Sequence, residues 1–371
     1  MLRDHKCGTL KVEDEGKQVA IAGWLKRTRD MGGLLFFNVR DRYGDVQVVI
    51  DPGAKPELAE TVKKIPRESV VVIKGEVHKR PDNMINPEMK TGEIEIHPTT
   101  VEILTESSDL PIPIEEVLDA GEELRLKYRY LEMRRPEMQR RLAMRHKLAL
   151  TVRNFLDNHD FLEIDTPYLM KSTPEGARDF LTPSRIHKGK FYALPQSPQT
   201  YKQILMVAGV DRYYQIVRCF RDEDFRADRQ PEFTQIDLEM SFIQQSDIVE
   251  LVEDMMKVVL REITGMEAKI PFPVMTYYEA LSKYGTDKPD IRFGLEFVWA
   301  TELVRDSGFR VFDNAVESGG IVIAIPLAGE LLSRKQVDEV NNIARDCGLP
   351  GVVAAKWENS SFNAPLGKTL P

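Results

Sequence analysis

Residues 213–242 read YYQIVRCFRDEDFRADRQPEFTQIDLEMSF, two strand-like runs joined by a loop that is crowded with charge. The side chains of a strand alternate between its two faces, so Gln235, Asp237 and Glu239 share one face of the second run. The other face carries Thr234, Ile236, Leu238, Met240 and Phe242. The alternation predicts an antiparallel hairpin that packs one face on a core and leaves a polar floor on the other.

Arg221 stands at the end of the first run, where the loop 222–232 begins. We expect its guanidinium fork to overhang the polar floor, an arrangement that suits a phosphate together with a small zwitterion. The same alternation is also typical of an ordinary amphipathic hairpin whose polar face is solvated. Periodicity alone therefore leaves both interpretations open.

The order of residues in this hairpin resembles motif 2 of the class II aminoacyl-tRNA synthetases. That motif has an Arg-x-Glu, a variable loop, and then an aromatic and an acidic residue on the return strand. The matching residues are Arg221, Glu223, Phe233 and Asp237. Over the run RCFRDEDFRADRQPEFTQIDLEMSF the chain is similar to the bacterial-type aspartyl-tRNA synthetase family. The resemblance implies a ligase that activates L-aspartate with ATP to aspartyl-adenylate and transfers it to the 3′ end of a tRNA.

Two segments upstream of the hairpin resemble the amino-acid pocket of the same family. The loop 173–179 (TPEGARD) places Pro and Gly around Glu175, and the segment 194–202 (LPQSPQTYK) ends in Lys202. A cation at the end of a pocket matches an anionic side chain and is a poor partner for an amide or an ammonium. Lys202 therefore favours aspartate as the substrate. Without the preceding signature it would be interpreted as a surface lysine on a helix that begins at Pro198.

The resemblance implies a role for each residue of these motifs. Arg221 is the implied catalytic residue, bridging the aspartate carboxylate and the α-phosphate of ATP as negative charge accumulates. The implied aspartate-binding residues are Glu175, Ser197, Gln199, Lys202, Arg221, Gln235 and Asp237. The implied ATP-binding residues are Arg221, Asp222, Glu223, Gln230 and Phe233. Mg²⁺ is the implied cofactor, and we expect no metal ligand within this sequence.

The first 105 residues predict a separate β domain. Short runs rich in Val, Ile and Phe recur between turn residues, at 19–24, 34–40, 46–50, 70–77 and 94–103. Five strands of this length indicate a small closed barrel of the OB type, a fold that binds single-stranded nucleic acid. The segment GWLKRTRDMGGLLFFNVRDRYGDVQVV resembles the family's anticodon-binding barrel and implies anticodon contacts for Arg29, Phe36 and Gln47. Taken alone, Phe36 or its neighbour Phe37 is more typical of a core residue.

The composition is that of a multidomain enzyme without a membrane segment. The chain has 371 residues, 42% of them hydrophobic, and a net charge of −8. No apolar stretch reaches the ~18 residues that a membrane span requires, and no signal peptide is visible. Three widely separated cysteines indicate reduced thiols and a cytoplasmic location. Basic residues near Lys26 and in the segment after Gly121 are candidates for contacts with tRNA phosphates, although a solvated helix face would look the same.

Four regions are predicted from these patterns: an OB-fold anticodon-binding domain at 1–105, a linker at 106–135, a class II catalytic core with motifs 1 and 2 at 136–290, and part of a bacterial-type insertion domain at 291–371. The fold class is α+β, with an incomplete antiparallel-sheet catalytic domain between the barrel and an α/β insertion. A helix from Pro136 and a strand that ends before Pro167 resemble motif 1, which implies a homodimer. The linker is expected to be extended, because it combines prolines with an acidic patch.

Motif 3 is missing from the sequence, since no Gly-x-Gly-x-Gly-x-x-Arg element occurs in it. We therefore expect a partial chain of a larger synthetase, with the metal-binding carboxylates outside it and with little turnover of its own. Two alternatives remain open: an enzyme of relaxed specificity that also charges the asparagine tRNA, and a non-catalytic tRNA-binding protein.

Overall fold

The computed structural model describes residues 1–114, 120–226, 229–327, 332–358 and 361–363. The chain divides into two compact units, Met1–Ile270 and Pro271–Pro371. The first unit contains a β-barrel, a helical junction and a sheet that carries the motif 2 hairpin. Among the described residues, no helix has both the length and the apolar character that crossing a membrane would require.

Five strands close into a barrel with the neighbour order β1-β2-β3-β5-β4. They are β1 (Gln18–Met31), β2 (Leu34–Asp41), β3 (Gly44–Ile50), β4 (Val70–Lys79) and β5 (Ile94–Thr105), with helix α1 (Pro56–Lys63) after β3. Alternate side chains point inward into one core, to which the five strands contribute Ile21, Phe37, Val48, Ile73 and Ile96. The predicted OB-type barrel is confirmed.

An ion-pair cluster joins the barrel to the turn at Arg134 in the helical region that follows. Arg40 donates to both carboxylate oxygens of Glu68, at 2.8 and 2.7 Å, and both side chains are almost completely enclosed. Arg134 lies 3.4 Å from the same carboxylate and 4.8 Å above the ring of Trp24. A buried carboxylate needs such partners because desolvation penalises its charge.

Residues 122–132 form two short helices, so the prediction of an extended linker is wrong for this part. They are α2 (Glu122–Lys127) and α3 (Arg129–Glu132). The carboxylate of Glu132 is fully buried and accepts hydrogen bonds from Arg125 and Arg129. Arg125 and Arg129, which the sequence offered as candidates for tRNA phosphate contacts or for a solvated helix face, pair with Glu132 instead. The predicted linker residues 115–119 lie outside the described part of the chain.

A three-stranded sheet with the order β10-β9-β6 carries the motif 2 hairpin. Its strands are β6 (Leu162–Glu163), β9 (Arg212–Phe220) and β10 (Glu232–Met240). Helices α4 (Pro136–Asp157) and α6 (Gln245–Thr264) cover one face, where Phe155, Tyr214 and Met255 share a core with Leu238 and Met240. Phe242 was predicted on this apolar face but is fully exposed, because β10 ends at Met240 and the backbone turns at Ser241 to bond to Asp211.

The opposite face of the sheet is bordered by a hairpin and a short helix. The hairpin consists of β7 (Leu181–Pro183) and β8 (Phe191–Ala193), and the helix is α5 (Gln199–Val207). Met170 pairs with Ala193, and the backbone N–H of Phe220 donates to the carbonyl of Pro195 at 2.9 Å. These bonds fix the segment 193–199 beside the end of β9.

The second unit contains short helices and two-stranded sheets. Its helices are α7 (Tyr277–Tyr284), α8 (Arg310–Glu317) and α9 (Arg334–Asp346). Its strands are β11 (Val298–Trp299), β12 (Ile323–Ala324), β13 (Lys356–Glu358) and β14 (Ser361–Asn363). Helix α9 begins with a capping box, in which Ser333 and Gln336 satisfy each other's backbone N–H groups. The predicted domain boundaries, at 105, 135 and 290, remain predictions.

Candidate active site

The floor of the candidate site is the face of β9 and β10 that turns away from the helices. Asp237 lies opposite Gln215 in the register of the two strands, and Gln235 and Glu239 flank it two residues away on the same face. Gln215 is buried and accepts hydrogen bonds from Thr166 at 2.9 Å and from Tyr213 at 3.0 Å. The predicted polar floor is therefore present, and two neighbouring side chains orient Gln215 within it.

Lys202 and Asp237 form the central ion pair of this floor. The Nζ of Lys202, on α5, lies 2.9 Å from Oδ1 of Asp237 and 3.4 Å from Oε2 of Glu239. Both partners in the shorter contact are nearly enclosed, with side-chain exposures of 12% and 10%. Desolvation raises the pKa of Asp237, and the hydrogen bond from Lys202 opposes that rise.

The unused hydrogen-bonding capacity of this pair defines what it can bind. An ammonium group has three donors; Lys202 donates one to Asp237 and forms an ion pair with Glu239 at 3.4 Å, so at least one donor is left. Oδ2 of Asp237 is buried and, among the described residues, has no hydrogen-bond partner. One free donor beside one free acceptor is complementary to a ligand that carries both an anionic and a cationic group.

Glu175 is held over the site by two hydroxyl groups. Thr173 donates to Oε1 at 2.8 Å, and Ser197 donates to Oε2. Gly176 follows with a φ of 96°, a conformation that favours glycine and turns the loop sharply after the carboxylate. The structure thus brings the predicted residues Glu175 and Ser197 into direct contact.

Gln196 was not among the predicted site residues, yet it fixes the loop that carries Glu175. Its side chain is 1% exposed. Its Oε1 accepts from the backbone N–H of Ala177 at 3.1 Å, and its Nε2 donates to the carbonyl of Ala177 at 2.8 Å and to Asp179. The signature Gln-Ser-Pro-Gln contained this residue, but only the fold shows that Gln196 faces the loop backbone 19 residues upstream.

Arg221 follows β9 directly, and its side chain lies over the polar floor. Its guanidinium carbon is 5.0 Å from the centre of the Phe233 ring. Phe233 is on the same face of β10 as Gln235 and Asp237, because these positions alternate along the strand. The stacking contact holds the planar guanidinium at the open end of the floor, as expected from the sequence.

The buried thiol of Cys219 lies on the same face of the sheet as the polar floor. Its Sγ is 3.2 Å from Oε1 of Gln235. The pKa of Cys219 is raised to about 11, chiefly by desolvation and also by Asp237 and Glu175, against the opposing effect of Arg221 and Lys202. All four charges therefore lie within electrostatic range of this thiol.

A polar cavity of about 290 Å³ adjoins the floor. It lies between the loop after Glu175 and the loop that joins β9 to β10. Its lining residues are Gly176, Ala177, Arg178, Asp222, Glu223, Asp224, Arg226 and Arg229. The two loops are joined by the backbone, since the N–H of Asp222 donates to the carbonyl of Arg178 at 2.9 Å. Three guanidinium groups at one cavity provide donors suited to phosphate oxygens.

The other residues predicted to bind ATP or aspartate lie farther apart from one another. Glu223 forms an ion pair with Arg229 at 3.6 Å in the cavity wall. Gln230 is exposed in the loop before β10. Gln199 is half-buried at the first position of α5, one turn before Lys202. Among the described residues, no group of three His, Cys, Asp or Glu side chains is arranged to hold a metal ion.

The three predicted anticodon residues share the outer face of the barrel. Arg29 pairs with Phe36 across β1 and β2, and Gln47 lies on the neighbouring strand β3. Phe36 is half-buried on this outer face, whereas Phe37 is 1% exposed in the core. Gln47 donates to Glu95 at 3.2 Å. The alternation of β2 decides which of the two adjacent phenylalanines can face a ligand.

The chain matches two known protein families. Residues 19–104 match the family described as "OB-fold nucleic acid binding domain", and residues 121–358 match "tRNA synthetases class II (D, K and N)". The chain therefore belongs to the class II tRNA synthetases of this group.

The chain is similar to aspartate–tRNA ligases over nearly all of its length. The chain is 48% identical to the aspartate–tRNA(Asp/Asn) ligase of Aquifex aeolicus, covering 99% of this chain and 61% of that one. It is 51% identical to the aspartate–tRNA ligase of Geobacillus kaustophilus, with coverages of 99% and 63%. The chain thus spans less than two thirds of the length of these relatives.

Solved structures agree with the fold. The asparaginyl-tRNA synthetase of Pyrococcus horikoshii, complexed with asparaginyl-adenylate, superposes with a TM-score of 0.63 at 22% identity, over 93% of this chain and 73% of that one. At 22% identity, this similarity supports a shared fold and nothing more specific. The barrel followed by a class II catalytic domain is confirmed.

Proposed function

We propose that the chain provides the aspartate-activating site of an aspartate–tRNA ligase. The observation that carries the proposal is the enclosed ion pair between Lys202 and Asp237, which leaves one donor and one buried acceptor free on the polar floor. The names of the relatives, aspartate–tRNA ligase and aspartate–tRNA(Asp/Asn) ligase, support the same substrate.

Aspartate would bind across this floor through both of its charges. Its side-chain carboxylate would accept from the remaining donor of Lys202, and its α-ammonium would donate to Oδ2 of Asp237 and to Glu175. Ser197 would orient Glu175, and Gln199 and Gln235 would contribute amide contacts. Asparagine would offer Lys202 a neutral oxygen, which gains less than a carboxylate does from a charge-assisted hydrogen bond.

The proposed reaction has two steps and needs no nucleophilic side chain. An oxygen of the aspartate α-carboxylate attacks the α-phosphorus of ATP, and the bond to the bridging oxygen breaks to release pyrophosphate. A terminal ribose hydroxyl of the tRNA then attacks the carbonyl carbon of aspartyl-adenylate, and AMP leaves. Arg221 would stabilise the charge that accumulates between carboxylate and phosphate, and correct positioning would supply much of the rest.

The polar cavity beside the floor is the proposed site of ATP. Asp222, Glu223 and Gln230 lie on the loop that borders it, and the ring of Phe233 would pack against the adenine. Mg²⁺ would accompany ATP and neutralise its phosphates. The described carboxylates do not form a metal-binding group, so no role in metal binding is assigned to them.

The outer face of the barrel is the proposed anticodon site. Phe36 would stack on an unpaired base, Arg29 would bind the backbone or a base edge, and Gln47 would hydrogen-bond to a base. The OB-fold match supports a nucleic-acid ligand for this domain. Some relatives are named for the aspartate tRNA alone and others for both the aspartate and the asparagine tRNA. We propose that the residues of this surface determine whether the asparagine tRNA is also aminoacylated.

We propose further that the protein acts as a homodimer in the cytoplasm. Helix α4 and strand β6, which resemble motif 1, leave Leu142, Leu150 and Leu162 exposed, as expected of a surface that a second copy covers. The cysteines Cys7 and Cys219 are free and buried, which suits a reducing compartment. Sedimentation of the purified chain would test the dimer.

Binding of a non-hydrolysable aspartyl-adenylate analogue, measured by calorimetry, tests the function without requiring turnover. We expect the chain to bind this analogue and to prefer it over the asparaginyl analogue. Lys202→Met should weaken binding by roughly 10- to 100-fold, the value of a hydrogen bond between charged groups. Lys269→Met, at an exposed lysine outside the site, is the control. The proposal is contradicted if both analogues bind with equal affinity, or if Lys202→Met binds the aspartyl analogue as tightly as the wild type does. A chain that binds RNA but neither analogue would instead be a non-catalytic RNA-binding protein.

A further inference from the structure

The hairpin of β7 and β8 carries a surface feature that the proposed reaction does not use. Its turn, residues 184–190, reads SRIHKGK and exposes Arg185, His187, Lys188 and Lys190. The turn has a defined backbone, because Ser184 N–H donates to the carbonyl of Lys190 at 2.9 Å and Lys190 N–H to that of His187 at 3.1 Å. The cationic side chains are therefore displayed from an ordered hairpin.

The charge of this turn is not neutralised locally. Residues 180–210 contain no Asp or Glu, although the whole chain has a net charge of −8. Within the described part of the chain, Arg185, Lys188 and Lys190 form no ion pair with a carboxylate. A concentrated positive charge on an acidic protein is typical of a site for a polyanion, since exposed cations are otherwise interspersed with acidic residues.

Large apolar side chains border the same turn. Ile186 is 76% exposed and Phe191 is 59% exposed, and the neighbouring ring of Tyr192 is partly exposed as well. An exposed aromatic ring next to unpaired cations is the combination by which proteins bind single-stranded nucleic acid: the ring stacks on a base and the cations bind the backbone. A second copy of this chain would gain from the apolar residues but would have to bury the cations without partners.

The base of the hairpin leads directly to the candidate active site. The carbonyl of Phe180 accepts from Leu194 N–H at 2.9 Å, which joins the end of the 173–179 loop to the segment that carries Gln196 and Ser197. An RNA strand bound along the hairpin would therefore approach the proposed aspartate pocket from its edge.

We propose that the hairpin 181–193 is a binding surface for the single-stranded 3′ end of an RNA. Arg185, Lys188 and Lys190 bind consecutive phosphates, and Phe191 stacks on an unpaired base. The surface guides the RNA end toward the pocket, and it is separate from the barrel face proposed for the anticodon. This inference rests on the proposed function, because it takes the RNA to be the acceptor of the aspartyl group.

The test compares two triple variants of equal charge change. R185Q/K188Q/K190Q removes three cations from the hairpin, and K269Q/K288Q/K335Q removes three exposed lysines elsewhere. The probe is a synthetic RNA stem with a short single-stranded 3′ end and no anticodon arm. Affinity is measured as a function of salt concentration. We expect the slope of log K against log salt to decrease in magnitude by about 2 in the hairpin variant, as three lost phosphate contacts predict, and to change little in the control.

A second pair of measurements examines the aromatic contact. F191A should weaken binding of the stem with the single-stranded end on the order of tenfold and leave binding of a blunt-ended stem unchanged.

The proposal is overturned if the wild-type chain does not bind the probe, or if the two triple variants have the same salt slope. It is also overturned if I186S converts a dimer into monomers while RNA binding stays the same, because the surface would then serve contacts between copies. Adenylate-analogue binding is measured in parallel for the wild-type chain and the hairpin variant. If the wild-type chain binds the analogue but not the RNA probe, this inference alone is contradicted, whereas a wild-type chain that does not bind the analogue contradicts the proposed function.

Discussion

Nζ of Lys202 lies 2.9 Å from Oδ1 of Asp237, and the two side chains come from a helix and a strand that are 35 residues apart in the chain. The pair is nearly enclosed, so neither charge can exchange its partner for water without a change of structure. Removal of either partner leaves the other charge buried and uncompensated, which costs about 3–5 kcal/mol in comparable pairs. The electrostatics of the floor therefore depend on this one contact.

We predict that Lys202→Met makes the stability of the first unit depend on pH. Without Lys202, desolvation and the neighbouring charges of Glu239 and Glu175 raise the pKa of Asp237 further above its unfolded value. The native state then binds a proton more tightly than the unfolded state, so the variant gains stability as the pH falls and loses it as the pH rises through the folded pKa of Asp237. The difference in thermal midpoint between variant and wild type should be large at pH 7.5 and smaller at pH 5.

The double variant K202M/D237N is the control for this prediction. It lacks the titrating carboxyl group, so its thermal midpoint relative to wild type should vary little between the two pH values. A Lys202→Met variant that is equally destabilised at both pH values would show that Asp237 does not respond to the loss of its partner.

Gln196→Ala should release the loop that carries Glu175. The substitution removes both hydrogen bonds to the backbone of Ala177 and the bond to Asp179. Each such bond contributes on the order of 1 kcal/mol. We expect the Ala177 amide hydrogen to exchange at least tenfold faster, with a weaker affinity for the adenylate analogue, because Glu175 is no longer fixed over the floor.

Ser197→Ala provides the comparison for the loop. It removes one hydroxyl donor to Glu175 but keeps the contacts between Gln196 and the backbone. Its Ala177 amide should therefore stay as protected as in the wild type. Equal exchange in the two variants would contradict the role of Gln196 in positioning the loop.

Arg221→Lys should abolish most of the proposed catalytic function even though it keeps the positive charge. Lysine lacks the planar fork that stacks 5.0 Å from the Phe233 ring and that could contact a carboxylate and a phosphate together. Arg221 is only half-buried, so we expect the thermal midpoint to change by little. Binding of the aspartyl-adenylate analogue should fall by at least tenfold, and ATP–pyrophosphate exchange, where the protein supports it, should fall with it.

Arg221→Glu reverses the charge and should have a greater effect than Arg221→Lys on both measurements. An Arg221→Glu variant that retains exchange would refute the role assigned to Arg221. A loss of the folded state in either variant would instead indicate that the contact with Phe233 is structural.

Local sequence patterns predicted the parts of the site that lie on regular strands. The alternation in 234–240 placed Gln235, Asp237 and Glu239 on one face, and the position of Arg221 at the end of β9 placed its side chain over them. The partner of Asp237 could not be predicted in this way, because a contact between α5 and β10 depends on how the helix packs on the sheet. The role of Gln196 was missed for a related reason: its partners are backbone groups of an irregular loop, and such groups have no signature in the sequence.

The two adjacent phenylalanines of the barrel provide the last prediction, since the sequence alone favoured a core position for either. The alternation of β2 places Phe37 in the core and Phe36 on the outer face beside Arg29. Phe37→Ala should destabilise the barrel by about 3–5 kcal/mol, as is usual for a large residue removed from a core. Phe36→Ala should leave the thermal midpoint nearly unchanged and weaken binding of an RNA anticodon stem-loop by about 1–3 kcal/mol, the value of one stacked base. If Phe36→Ala binds the stem-loop as the wild type does, the outer face of β2 is not the anticodon surface, because no other large aromatic ring of that strand faces outward.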